Sequence, residues 1–533
     1  MEEIKINTKK WFLGFCALHL FLWTVIPTFF FTNVYMDTAE SIAWGYQWQL
    51  GYSKHPPLSG WIAATFANLG PFTGFQMYLL GSILALVTFW GIWRLASRIL
   101  SPVKALISVL LLDCALYYNC YCATIDPDSV QIPFWALVFL TFYIALKEEK
   151  LYQWFLVGFC CALAFYAKYA AVLIFAPMGA LILFTKEGRK QLFKPGMYLC
   201  FILFVLCLLP HLLWSYQHGF QEITYAYSAS GVTEELKSTF LQSLLSSLNF
   251  IGAQLGFAAL MYIMMLSFLF VKRDKTNCVG MFDKQFILIM GLGPLIIALL
   301  YPIILQNELM PRWGFPLFSL FGIIAMVWIN PVITKKVFKR FLVMFLMIIC
   351  IISGGYSIFY GYWAANVNGN YHQWSYFPGE NIAKKVTNIW QERYHVPLKY
   401  IAGSHYLVAY ITAYSKDHPI PYFDWEKSES EWMDINNMRK NGAVFVWWGD
   451  PSPQGDPGKK ELEKVKNRFP TMEKLGEFRF DMVGIPRDNK PILKTFIKDN
   501  FPELLTVPSI NQFFPNDPPY VDIWIAILPP ERR

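Results

Sequence analysis

Apolar residues in this chain come in long runs: from Trp11 to Tyr360 they are separated only by short polar segments, and after Tyr360 the runs stop. A helix needs about 20 predominantly apolar residues to cross a hydrocarbon core. On that measure segments 11–31, 73–93, 105–122, 130–146, 153–167, 169–184, 197–214, 248–271, 285–305, 315–330 and 341–360 predict about eleven crossings. The two runs beside Lys168 are short, and a continuous helix over 153–184 would place that lysine in mid-bilayer, so a break is expected there. Segment 11–31 is followed by no small-residue cleavage pattern and is read as a helix, not a signal peptide. Beyond residue 361 the pattern shortens. Strand-like runs (400–402, 443–448, 523–528) alternate with helical ones (406–414, 459–468), punctuated by Asp450-Pro451 and Asp456-Pro457. The expected fold is therefore mainly α, a polytopic membrane domain over 1–360 followed by an extracytoplasmic α/β domain over 361–533.

Composition agrees, with 55% hydrophobic and only 15% charged residues. All ten cysteines precede residue 361, so the C-terminal domain has no disulfide framework. Most lie in apolar runs as small packing residues, and the Cys120/Cys122 and Cys160/Cys161 pairs lack the spacing and histidine partners of a zinc site.

Lysine and arginine in the short loops set the orientation. One set of loops holds Lys5, Lys9, Lys10, Arg94, Arg98, Lys104, Lys147, Lys150, Lys186, Arg189, Lys190, Lys194, Lys272, Arg273, Lys275, Lys284, Lys335, Lys336, Lys339 and Arg340. The alternate loops hold only Lys54, Lys168, Lys237 and Arg312. The first set is read as cytoplasmic, which puts the N-terminus inside and 361–533 outside. Those loops account for the net charge of +8 without nucleic acid as a partner.

The informative residues sit in the sparse outer loops. In the first, Asp37, Glu40 and Trp44 are spaced i, i+3, i+7, so a helix would put both carboxylates and the aromatic on one face. A carboxylate here suits proton abstraction from an attacking hydroxyl, and Lys54 suits an anionic leaving group. An acidic helix start beside an interfacial anchor explains the same residues equally well. In the second loop Pro127 holds Asp126 extended, and Asp128 or Ser129 is a candidate cap for the next helix. Lys168 and Arg312 either snorkel to headgroups or reach inward to a phosphate, Arg312 having Glu308 as a structural alternative. Three cations and several carboxylates confined to one face imply an anionic ligand.

The order of these strings resembles the family 39 and related family 83 glycosyltransferases of the GT-C class, which includes aminoarabinose and galacturonic acid lipid A transferases and protein O-mannosyltransferases. The match spans roughly residues 30–330. It runs through Asp37 and Glu40, Gly51-Tyr52, Lys54, Pro56-Pro57-Leu58, Pro127-Asp128, Lys168-Tyr169, Pro210 with Trp214, His218-Gly219, and Arg312-Trp313. The chain departs from relatives in opening the Asp-Glu pair to Asp37-Thr-Ala-Glu40, in Ser215 where many have Asn, and in Arg312 where many have His.

The resemblance implies a sugar transferred with inversion from a polyprenyl phosphate, at the outer face of a bacterial inner membrane, to lipid A or another cell-envelope glycolipid. It implies Asp37, or else Glu40, as the base, with Asp128 beside it. Lys54, Lys168 and Arg312 would hold the donor phosphate, and Tyr52, His55, Asp126, Tyr169 and Trp313 would contact substrate. Monophosphate-donor relatives generally need no metal, and no metal or other cofactor is expected. A protein acceptor, a flippase for an anionic lipid and a catalytically silent scaffold are the alternatives. A flippase would carry charges through its midplane, and these spans are nearly charge-free away from their outer ends.

Overall fold

The computed structural model describes residues 3–228, 239–275, 278–306, 308–366, 374–449, 459–485, 490–506 and 518–531. Lys237 and the Asp450-Pro451 and Asp456-Pro457 turns lie outside the described residues. Among those described, six helices are long and apolar enough to cross a membrane: Thr8–Phe30, Phe75–Ile99, Pro127–Glu148, Pro195–Gln217, Met281–Leu305 and Lys335–Asn366. Three further pairs qualify only as bent spans, Pro102–Asp113 with Leu116–Ala123 (87°), Phe240–Phe257 with Ala259–Phe268 (57°), and Pro311–Phe318 with Phe321–Ile329 (53°), which brings the count to nine. The difference from eleven lies in the segments flanking Lys168, which form the shorter apolar helices Leu151–Ala167 and Tyr169–Phe184.

By compactness the chain divides into two units, and neither is continuous in sequence. One comprises Met1–Trp23, Leu50–Ser59 and Leu79–Ser353; the other comprises Thr24–Gln49, Gly60–Tyr78 and Gly354–Arg533.

The first unit is helical. Leucine, isoleucine and phenylalanine fill its interior, yet helix Pro195–Gln217 also leaves Phe201, Leu206 and Leu213 exposed. Apolar surface of that extent is stable against lipid and costly against water. Among the described residues several buried charges are paired, as burial in a low-dielectric interior favours. His19 Nδ1 lies 2.9 Å from Asp113, and Lys104, only 2% exposed, bonds Asp274 at 3.0 Å and the Asn330 side chain at 2.8 Å.

The second unit holds a five-stranded sheet in the order β2-β1-β3-β5-β4, with β1 Tyr400–Gly403, β2 Ile420–Phe423, β3 Ala443–Trp448, β4 Glu473–Asp481 and β5 Tyr520–Leu528. β1 pairs in parallel with β2 and β3, whereas β5 runs antiparallel to β3 and β4. The parallel β1–β2 connection is made by helix His405–Tyr414, so residue 405 starts a helix directly beyond the C-terminal end of β1. All six residues of β3 are buried, and Phe445 and Trp447 join Tyr400, Tyr422, Phe469 and Leu528 in one core. In the same unit helix Met36–Gly45 packs on helix His405–Tyr414.

Candidate functional site

The first unit gathers charge at the start of helix Pro127–Glu148. Pro127 keeps Asp126 extended (φ −147°, ψ 173°), the backbone an N-cap requires, so the cap falls to Asp126 and not to Asp128 or Ser129. Its carboxylate accepts from the Ser129 N–H at 2.8 Å, and the Ser129 Oγ accepts from the Asp126 N–H at 3.1 Å, closing a capping box. Burial raises the Asp126 carboxyl above its ordinary range and neighbouring Asp128 adds to this, while the Ser129 N–H, Arg312 and Lys168 pull it back.

With the cap supplied elsewhere, Asp128 is left to the cations. It is 4% exposed, its Oδ1 accepts from the Lys168 ammonium, and its Oδ2 lies 3.8 Å from Arg312 Nε. Helix Leu151–Ala167 stops at Lys168, whose backbone is extended (φ −162°, ψ 140°), so the expected break is present. The Lys168 ammonium also lies 5.8 Å from the centre of the Trp313 ring. Lys168 is largely buried, whereas the Arg312 side chain is 45% exposed.

Tyr169 and the Leu50–His55 segment are tied to helix Pro195–Gln217. His211 Nδ1–H donates to the Leu50 carbonyl at 2.7 Å, and its Nε2 faces the Tyr169 hydroxyl at 2.9 Å. Trp214 stacks on His218 at 4.4 Å, and a Cβ on Gly51 would fall 2.4 Å from the Trp214 ring, so only glycine permits this approach. The segment then turns, with the Tyr52 N–H donating to the His55 carbonyl at 3.0 Å. Beyond the turn the Lys54 ammonium lies 5.8 Å from the Tyr225 ring centre, and the His55 ring meets the same ring edge-on. The Ser215 hydroxyl donates to buried Glu222. His211, Glu222 and Tyr225 were not singled out in the sequence; the Pro210-to-Trp214 string that contains His211 was the one available signal.

The second unit holds the other two carboxylates. Helix Met36–Gly45 presents Asp37 and Glu40 one turn apart, as the spacing predicts. Glu40 is 5% exposed, and its Oε1 lies 2.5 Å from His405 Nε2. His405 Nδ1 lies 3.1 Å from Asp424 Oδ2, and the His405 N–H donates to Asp424 Oδ1 at 3.0 Å. The Tyr406 hydroxyl donates to Asp37 at 3.5 Å. A lone histidine in a Gly-Ser-His string carries no sequence signal of its own. Among the described residues no group of three or more histidines, cysteines or carboxylates is arranged to hold a metal ion.

Residues 54–214 match the family model described as dolichyl-phosphate-mannose-protein mannosyltransferase, a stretch that includes Lys54, Asp126, Asp128, Lys168 and Tyr169. Over 203 residues the chain is 24% identical to the lipid A galacturonosyltransferase RgtD of Rhizobium johnstonii, covering 37% of this chain and 42% of that protein. The aligned part thus spans less than half of that relative's length. Among solved structures, ArnT from Cupriavidus metallidurans bound to undecaprenyl phosphate superposes with a TM-score of 0.56 at 13% identity, covering 83% of this chain and 93% of that one. The apo form of the same protein gives 0.55 at 12% identity, with coverage of 88% and 96%. At such identity the structural likeness shows the fold. Together these findings bear out the resemblance to GT-C glycosyltransferases read from the motif order, and the chain is a multi-pass membrane protein.

Proposed function

From a chain with the fold of the GT-C membrane glycosyltransferases, we propose an enzyme that moves a sugar from a polyprenyl phosphate to an extracytoplasmic acceptor, lipid A or another cell-envelope glycolipid, with inversion. On this reading it lies in a bacterial inner membrane, N-terminus in the cytoplasm and residues 361–533 outside. The acceptor oxygen attacks the anomeric carbon, the bond to the donor phosphate breaks, and the phosphate departs with the electron pair. Lys168, Arg312 and Lys54 hold that charge, and Asp37 takes the acceptor proton or, where the acceptor is a phosphate, orients it. Asp128 keeps the two cations beside it aimed, and Tyr52, His55, Asp126, Tyr169 and Trp313 shape the substrate side.

The observation that carries the reading is the convergence of Lys168 and Arg312, from separate segments, on the one buried Asp128. A snorkelling role gives two cations no reason to share a carboxylate; an anion-binding role does. Mass spectrometry of lipid A from cells with and without the protein tests it. The expected result is a hexosamine, pentosamine or uronic acid increment present only with the protein, and about 100-fold less of it with Asp37→Asn. No increment in lipid A or any other envelope glycolipid defeats the reading. The description of the matching family favours a second acceptor class, protein, for which the increment would appear on envelope glycopeptides.

A further inference from the structure

Glu40 and Asp37 sit one turn apart on the same helix, yet their surroundings differ. Glu40 is buried, and a buried carboxylate persists only where a donor compensates it. His405 supplies that donor, and both of its ring nitrogens face carboxylate oxygens, Glu40 at 2.5 Å and Asp424 at 3.1 Å. Satisfying both contacts takes an N–H at each nitrogen, which is the imidazolium, or a proton residing on one of the two carboxyls. The ring is fixed further by stacking on Phe423 at 4.4 Å and by the bond from its own backbone N–H to Asp424. Asp37 is half-buried, and its contact with the Tyr406 hydroxyl, at 3.5 Å, is at the long limit of a hydrogen bond. Two consecutive residues of helix His405–Tyr414 thus address the two carboxylates, His405 meeting Glu40 and Tyr406 meeting Asp37.

The geometry points to His405 as a positioning residue: clamped by Asp424, it holds Glu40 out of the chemistry and fixes the turn of helix that presents Asp37. This inference rests on reading Asp37 as the group that meets the acceptor, and it gives residues just beyond the C-terminal ends of β1 and β2 a share in the site. Group positions in such sites matter steeply, a displacement of about 1 Å costing about 100-fold in rate.

The test compares full-length His405→Ala and His405→Gln with wild type in three readings. Binding of undecaprenyl phosphate, followed by tryptophan fluorescence, is expected to stay within about 2-fold, since Lys54, Lys168 and Arg312 are unaltered. The sugar increment on the envelope acceptor is expected to fall about 10-fold or more in His405→Ala and to recover in part in His405→Gln, whose amide can still donate to Glu40. Labelling with a water-soluble carbodiimide and an amine, read by peptide mass spectrometry, is expected to mark Asp37 in wild type and Glu40 only once His405 is removed, with exposed Glu380 as the reagent control and buried Asp522 as the unfolding control. Unchanged transfer in His405→Ala overturns the inference, and so does equal labelling of Glu40 and Asp37 in wild type. Equal losses of binding and transfer assign His405 to the fold and also overturn it. Wild-type cells without any increment defeat the transferase reading, while the labelling still decides the positioning.

Discussion

Asp126 and Asp128 stand two residues apart at one helix start and serve different ends. Asp126 closes the helix, and Asp128, relieved of that task, accepts from Lys168 with Arg312 beside it. Replacing Asp126 by Ala removes the capping box and is expected to lower stability by about 1 kcal/mol. Replacing Asp128 by Asn leaves Lys168 facing a neutral amide in a largely buried setting, where losing one partner of an ion pair costs about 3 kcal/mol or more. Thermal midpoints of the purified variants should therefore fall further for Asp128→Asn than for Asp126→Ala; the reverse order would show that the Lys168–Asp128 pair contributes less to stability than the Asp126 cap. These aspartates were legible in the sequence because charges beside apolar runs are expensive and hence few. His211, Glu222 and His405 were not, because a single polar residue inside a helix has no periodicity to betray which partner, far along the chain, will meet it.

At the scale of elements, the Leu50–His55 segment has no regular hydrogen-bond ladder and takes its shape from helix Pro195–Gln217. His211 holds its carbonyl and Trp214 lies against Gly51. Because Trp214 is itself stacked on His218 and mostly buried, it cannot yield to a methyl group. Gly51→Ala is expected to push the segment aside, carry Lys54 with it and weaken undecaprenyl phosphate binding by about 10-fold, as read by fluorescence titration; unaltered binding would separate Lys54 from the donor. The same scale shows why three strands were legible and two were not. β1, β3 and β5 are apolar runs, as strands with both faces covered must be. β2 contains Pro421, which argues against a strand, and β4 has charged residues at five of its nine positions; both are edge strands, where proline is tolerated and charge deters further pairing.

For the whole molecule, the proposed orientation rests on the lysine and arginine asymmetry. A reporter active only outside the cytoplasm, fused after Tyr360, should be active; a cytoplasm-only reporter working there would reverse the placement of every outer loop. The existence of a helical membrane part was plain from the apolar runs, whereas the number of crossings was not, since a run's length says nothing of a bend between its halves, and three candidate spans bend by 53° to 87°. Compact grouping was hidden too, because segments 24–49 and 60–78 fall with residues after 353. That grouping has a consequence for biosynthesis. Glu40 and His405 are 365 positions apart, so at ribosomal rates of about 5–20 residues per second the acidic helix waits roughly 20 to 70 s for its partner. During that interval Met36–Gly45 has neither the histidine nor the helix that later covers it, so the acidic helix reaches its final packing only while the last quarter of the chain is being translated.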